Sequence, residues 1–241
     1  MNDAASRSTL ELLVDGPKKA KRTIALAHGA GAGMDTPFMD FFATGMTERG
    51  FRVVRFEFPY MAAKRLTGKA KPPDREPVLR ATWLKVIEQV GADGLVIGGK
   101  SMGGRIASLV ADECGVAGLT CLGYPFHPVG KPDKLRVEHL RTIKTPTLIV
   151  QGERDPFGSR ADVAEYNLSK AIVMNWIKDG DHSFKPRNRR EQRNRRTANR
   201  PLTRWSSFWS HWHNSVATPL AATACRLRQV ICDFHARTRS I

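Results

Sequence analysis

A serine, an aspartate and a histidine occur along this chain in an order that suits nucleophilic hydrolysis. Ser101 lies in the stretch 99–103, GKSMG, which fits the G-x-S-x-G pattern of a nucleophile elbow. Asp155 follows a later predicted strand, and it is preferred to Glu153 because a proline and a glycine fix the turn around it. His182 lies in the loop after the last predicted strand. Together they predict a nucleophile, an orienting carboxylate and a general base.

The stretch 94–101 also fits G-x-x-x-x-G-K-S, the phosphate-binding P-loop, so two interpretations compete. A P-loop wraps phosphate with free backbone N–H groups. Here the positions between the glycines include the apolar run 95–97, which predicts a buried strand with its N–H groups committed to a sheet. The aspartate and histidine that follow in order favour the elbow.

Apolar runs alternate with helical patterns over the first 186 residues, which predicts an α/β domain. The predicted strands are 10–14, 22–27, 51–58, 95–98, 116–123, 147–150 and 171–176, and the predicted helices are 36–49, 76–90 and one after the elbow. The basic stretch 64–71 and the residues just before it are predicted to form a solvated loop. The link between the fifth and sixth strands is too short for a separate cap domain. We therefore expect a mostly parallel, doubly wound sheet with helices on both faces.

Five longer stretches carry a resemblance to a known family. They are HGAGAGMDTPFM, GGKSMGGRIAS, GYPFHPVGKPDKLR, QGERDPFG and DGDHSFKP. With them, the segment from Thr23 to Lys185 resembles a small, cap-less α/β-hydrolase related to dienelactone hydrolases. More narrowly, it resembles a bacterial group of predicted hydrolases that shares its domain with a eukaryotic chromatin-complex subunit and a testis-expressed relative. The resemblance implies the α/β-hydrolase fold and a triad at Ser101, Asp155 and His182.

The same resemblance implies an oxyanion hole made of two backbone N–H groups. By position the donors are Ala30, in the glycine-rich stretch 28–33, and Met102, directly after the serine. Four side chains near the ends of strands are predicted to line the rim of an open site: His28, Tyr124, Phe126 and His127. His127 precedes the aspartate along the chain, so it is predicted to be a rim or structural residue rather than the base.

The net charge of +16 is spread unevenly along the chain. Residues 186–241 hold 12 arginines, no lysine and only two acidic residues, whereas residues 1–185 hold 27 basic and 21 acidic ones. We therefore divide the chain into a hydrolase domain, 1–186, and an atypical arginine-rich tail, 187–241. The apolar stripe from Leu220 to Phe234 predicts a closing amphipathic helix in that tail. The abrupt change in amino-acid usage after residue 186 is typical of a segment translated out of frame. The alternative is a tail that binds nucleic acid non-specifically.

Several classes of protein are disfavoured. No apolar run approaches the roughly 18 residues of a membrane span, and the start shows no signal peptide. The four cysteines show neither metal-ligand spacing nor a disulfide framework. We predict a cytoplasmic serine hydrolase without metal, organic cofactor or membrane partner, acting on an ester or thioester of a small acid. The rivals are a catalytically silent, hydrolase-like interaction module and a nucleic-acid-binding protein that works through the tail.

Overall fold

The computed structural model describes residues 9–187 together with residues 229, 230 and 233. Within this part, seven strands form one sheet in the order β1-β3-β2-β4-β5-β6-β7. The strands are β1 Leu12–Asp15, β2 Thr23–Ala27, β3 Arg52–Phe56, β4 Leu95–Lys100, β5 Gly118–Leu122, β6 Thr147–Gly152 and β7 Ile172–Ile177. Strand β1 pairs antiparallel with β3, and all other pairings are parallel.

Helices cover both faces of this sheet. They are α1 Pro37–Thr47, α2 Pro59–Thr67, α3 Glu76–Val90, α4 Met102–Val110 and α5 Arg160–Ala164. Alternate residues of the strands point to opposite faces. One face packs with Trp83 of α3 and Ile106 of α4, and the other packs with Phe42 of α1. The predicted doubly wound α/β architecture is therefore confirmed.

One predicted loop is a helix. The residues after β3 form α2, and its first turn buries Tyr60 and Met61. Proline at the first helical position and Gly68 in the left-handed conformation at the end are ordinary start and stop signals. The basic stretch 64–71 favoured a solvated loop in the sequence analysis, because only the first turn of this helix is apolar.

The predicted absence of a cap domain is confirmed for the described residues. The link between β5 and β6 contains only a short 3-10 helix, Glu138–Arg141. In the described part of the chain, no separate domain is therefore inserted at the carboxyl edge between β5 and β6. None of the helices in the described part of the chain is long and apolar enough to cross a membrane.

A described residue of the tail contributes to the core. Val230 is fully buried, in the same apolar cluster as Met46 of α1. A Cβ atom on Gly45 would come within 2.6 Å of the Val230 side chain, so glycine permits this close approach. Beside it, Arg49 donates to the Asp233 carboxylate at 2.9 Å. The predicted stripe from Leu220 to Phe234 and the predicted nucleic-acid-binding segment otherwise lie outside the described residues.

We expect Val230→Ala to lower the free energy of unfolding by about 2 kcal/mol, because it removes two buried methyl groups and leaves a cavity against α1. Urea denaturation followed by circular dichroism measures the change. The control is Gln229→Ala, since Gln229 is an exposed neighbour. Equal unfolding midpoints for Val230→Ala and the wild type would contradict the docking of this segment on α1.

Candidate active site

Ser101 occupies a sharp turn between a strand and a helix at the carboxyl edge of the sheet. Strand β4 ends at Lys100 and helix α4 begins at Met102, so the serine alone joins them. Its backbone has φ 51° and ψ −116°, a conformation that non-glycine residues rarely adopt. Such strain persists only where the surroundings impose it, and it is common at functional sites.

The two glycines of the motif are required because the backbone of β2 lies against the elbow. A Cβ atom on Gly99 would lie 2.1 Å from the carbonyl oxygen of Ala27. A Cβ atom on Gly103 would lie 2.5 Å from the carbonyl oxygen of His28. Both distances are far below van der Waals contact, so the G-x-S-x-G pattern follows from packing.

A chain of hydrogen bonds joins the three residues predicted to do chemistry. The Oγ atom of Ser101 lies 2.9 Å from Nε2 of His182, and Nδ1 of His182 lies 2.8 Å from Oδ2 of Asp155. The Asp155 side chain has no solvent exposure. Because a carboxylate accepts at Nδ1, the ring carries its proton there and directs the Nε2 lone pair at the serine hydroxyl.

Two loops that pack against each other position the aspartate and the histidine. The Asp155 turn follows β6, and its carboxylate also accepts the Phe157 N–H at 2.9 Å. The His182 loop follows β7, and the Asp181 carboxylate accepts the N–H groups of Ser183 and Lys185 within it. The Phe157 ring lies 4.4 Å from the imidazole of His182, between ring centroids, so the two loops also meet at their side chains.

The structure contradicts the P-loop interpretation. Residues 95–100 form β4, which is hydrogen-bonded to β2 on one side and to β5 on the other. These strand amides are therefore committed to the sheet. The Lys100 ammonium donates to the carbonyl oxygen of His182 rather than facing a phosphate site.

Hydrogen bonds from two side chains hold the glycine-rich loop beside the serine. His28 is buried and its Nε2 accepts the Phe58 N–H at 3.1 Å, while its Nδ1 lies 2.7 Å from the Gly29 carbonyl oxygen. Burial lowers the pKa of His28 and keeps its ring neutral. The Tyr60 hydroxyl donates to the carbonyl oxygen of Ala30 at 2.9 Å. Sequence reasoning missed Tyr60 because α2 was not predicted.

The four residues predicted to line the rim are buried instead. His28, Tyr124 and Phe126 have no exposed surface, and His127 is 5% exposed. The loop after β5 folds back into the core, where the Tyr124 hydroxyl donates to the Arg136 carbonyl oxygen at 3.0 Å. The Phe126 ring packs against Tyr124, and the Nδ1 atom of His127 lies 2.9 Å from the Pro128 carbonyl oxygen. His28, Tyr124 and Phe126 therefore do not form an exposed rim, whereas the burial of His127 fits the structural role that was its alternative. Aromatic residues after a strand serve equally well as core.

Comparison with known proteins decides the family. A protein-family model described as an alpha/beta hydrolase domain matches residues 20–210 of the sequence. The chain belongs to the alpha/beta hydrolase family. The match runs past residue 186, where the sequence predicts the end of this domain.

Among the described residues, no group of three or more His, Cys, Asp or Glu side chains could hold a metal ion.

A curated relative of this alpha/beta hydrolase is ABHD14B of Rattus norvegicus, named as a candidate protein-lysine deacylase. It is 30% identical over 116 residues, which cover 47% of this chain and 52% of the rat protein. The chain thus spans about half the length of that relative.

Similar solved structures share the fold at low sequence identity. An alpha-beta serine hydrolase homologue from Coxiella burnetii has a TM-score of 0.57 at 21% identity, covering 72% of this chain and 83% of its own. A lidless serine hydrolase from Xanthomonas campestris has a TM-score of 0.55 at 20% identity, with 73% and 81% covered. Dienelactone hydrolase from Anabaena variabilis has a TM-score of 0.57 at 20% identity, with 73% and 82% covered. The resemblance to cap-less relatives of dienelactone hydrolases is therefore confirmed for the fold.

Proposed function

We propose that this protein is a serine hydrolase that cleaves an ester or thioester of a small acid. The observation that carries the proposal is the continuous chain of hydrogen bonds from Ser101 through His182 to the buried Asp155. The strained backbone at Ser101 supports it, because the turn places the hydroxyl where a substrate carbonyl can approach.

In the proposed reaction, Ser101 Oγ attacks the carbonyl carbon of the substrate while His182 Nε2 accepts the hydroxyl proton. Asp155 stabilises the imidazolium that forms. Collapse of the tetrahedral intermediate breaks the bond to the leaving group, which takes the proton from His182 and departs. Water then attacks the acyl-enzyme with the same histidine as base, releasing the acid and restoring Ser101.

The N–H groups of Ala30 and Met102 are the proposed donors to the oxyanion. Met102 is the first residue of α4, where N–H groups have no partner within the helix and the helix dipole favours negative charge. A Cβ atom on Gly29 would lie 3.7 Å from the Ser101 Cβ, so the loop that carries Ala30 passes beside the nucleophile. Two such donors are worth several kcal/mol of transition-state stabilisation, at roughly 3 kcal/mol for each.

We infer the substrate class from the missing cap and from the names of the relatives. In the described part of the chain, no cap domain is inserted between β5 and β6, which leaves the approach to Ser101 open on that side. A dienelactone hydrolase acts on a cyclic ester, and a protein-lysine deacylase removes an acyl group. Both names indicate acyl transfer, which supports a small acyl substrate here. The narrower grouping with a chromatin-complex subunit stays a prediction.

Mixing the protein with excess p-nitrophenyl acetate tests the proposal. We expect a burst of about one equivalent of p-nitrophenol per folded chain, followed by slower turnover, because a covalent acyl-enzyme must form before water releases the acid. The acetyl thioester of a small thiol serves as the second substrate. A folded protein that releases no p-nitrophenol above the uncatalysed rate would favour the silent interaction module instead.

A further inference from the structure

Lys100 connects the two loops that carry the nucleophile and the base. It directly precedes Ser101, and its Nζ atom donates to the carbonyl oxygen of His182. The ammonium also lies 5.4 Å from the ring centroid of Phe38 and 5.5 Å from that of Phe184. One side chain therefore contacts the elbow, helix α1 and the histidine loop.

The surroundings of this lysine leave room for its terminal amino group. A Cβ atom on Gly123 would lie 2.7 Å from Nζ, so the glycine leaves the space that the ammonium occupies. Aromatic faces attract a cation, and a desolvated contact of this kind is stronger than an exposed one. Lys100 is half-buried, and lysine is seldom withdrawn from water without partners, which here include the carbonyl oxygen of His182.

We propose that Lys100 is a positioning residue that holds the backbone of His182 against the elbow, so that the imidazole stays between Ser101 and Asp155. The inference rests on the proposed function and adds a residue to it. Ser101 is the next residue after Lys100 along the chain, and the carbonyl oxygen of His182 accepts a hydrogen bond from the Lys100 ammonium. The separation between nucleophile and base therefore depends on one ammonium group, and a displacement of about 1 Å in such a separation can cost roughly 100-fold in rate.

The charge of this ammonium changes in the alkaline range. Burial lowers the pKa of Lys100 to about 8, and the carboxylates of Asp155 and Asp181 act in the opposite direction. These two carboxylates are the charged groups that act on the ammonium, and α1 contributes the Phe38 ring. A charge-assisted hydrogen bond is stronger than a neutral one. The hold on His182 therefore weakens as the pH rises through about 8.

Stability responds to the same titration with the opposite sign. The pKa of Lys100 is lower in the folded protein than the ordinary value of 10.5, so between about pH 8 and 10.5 the unfolded state binds more protons. The contribution of this group to stability thus rises with pH over that window. A loss of activity that comes from Lys100 would occur without unfolding.

The test measures the second-order rate of labelling by a fluorophosphonate from pH 7 to 9.5 for the wild type, Lys100→Met and Lys100→Gln. At pH 7 we expect both variants to react about 10- to 100-fold more slowly. The ratio of wild-type to variant rates should then fall several-fold as the pH rises, with a midpoint near 8. The matched control is Lys178→Met, since Lys178 is exposed close to the same loop. That variant should keep the wild-type rate.

Three results would overturn the role of Lys100. In the first, a folded Lys100 variant is labelled as fast as the wild type. In the second, the ratio of the wild-type labelling rate to the variant rate stays constant with pH. In the third, the control Lys178→Met is labelled as slowly as Lys100→Met. If neither Lys100 variant folds, a wild-type rate that stays unchanged from pH 7 to 9.5 overturns it. A folded wild type that takes no label at any pH overturns the proposed function itself, which separates the two failures.

Discussion

Replacing Ser101 by alanine is expected to lower the rate of p-nitrophenyl acetate hydrolysis by about 10⁴-fold or more and to remove the burst. In the proposed mechanism the Oγ atom forms the acyl-enzyme, and His182 Nε2 lies 2.9 Å from it. Activity that survives would come from substrate binding and the oxyanion donors, which still accelerate attack by water. Steady-state and stopped-flow measurement of p-nitrophenol release checks both parts.

Ser183→Ala is the matched control for this change. Ser183 directly follows His182, and its side chain contributes to none of the hydrogen bonds between Ser101, His182 and Asp155. The control should keep the burst and the turnover rate within about twofold, because surface substitutions away from such features change little. Equal losses in both variants would show that the loop, rather than the Ser101 hydroxyl, limits the reaction.

Asp155→Asn is expected to lower turnover by about 10³- to 10⁴-fold while the fold stays intact. The amide that replaces the carboxylate can turn its NH₂ group toward His182 Nδ1, which then has to accept a hydrogen bond. That exchange places the ring proton on Nε2, where it faces Ser101 and prevents general-base catalysis. Turnover on p-nitrophenyl acetate, together with a thermal melt, separates this effect from unfolding.

Glu153→Gln is the control for the aspartate. Glu153 lies two residues earlier in the same turn, and its carboxylate accepts the Asp179 N–H at 3.2 Å. In the described part of the chain its carboxylate bonds to the Asp179 N–H and pairs with Arg160 rather than with His182, so the variant should keep nearly wild-type turnover. A larger loss for Glu153→Gln than for Asp155→Asn would assign the orienting carboxylate to Glu153.

The parts of the site that could be predicted from sequence are those with local signals. Ser101 lies in a motif whose glycines are demanded by the neighbouring strand. Asp155 and His182 lie in the loops after strands that apolar runs make recognisable. Because the carboxyl ends of parallel strands share one edge of a sheet, the predicted strands bring all three residues to that edge. The loops after β6 and β7 then bring Asp155 and His182 to Ser101.

The parts that could not be predicted depend on which way a side chain turns. Tyr124 and Phe126 follow β5 at the correct edge, yet both turn into the core. The role of Tyr60 was not predicted, because the basic stretch after it favoured a loop where the structure has helix α2. Lys100 has a formal place in the P-loop pattern, and nothing in its neighbours along the chain indicates that it reaches the carbonyl of His182. Val230 lies within the span of the predicted stripe but is not one of its members, which are Leu220, Ala224, Leu227, Ile231 and Phe234. It nevertheless packs in the same apolar cluster as Met46 of α1.

Mass-spectrometric mapping of the folded wild-type protein after reaction with a fluorophosphonate tests the proposed triad most directly. We expect a single adduct on Ser101, formed at one equivalent per chain and absent after Ser101→Ala. Such reagents phosphonylate a serine only where a base activates it and donors bind the oxyanion, so the adduct reports the assembled site. A folded wild-type protein with no adduct, or with its adduct on another residue, would show that Ser101 is not the nucleophile.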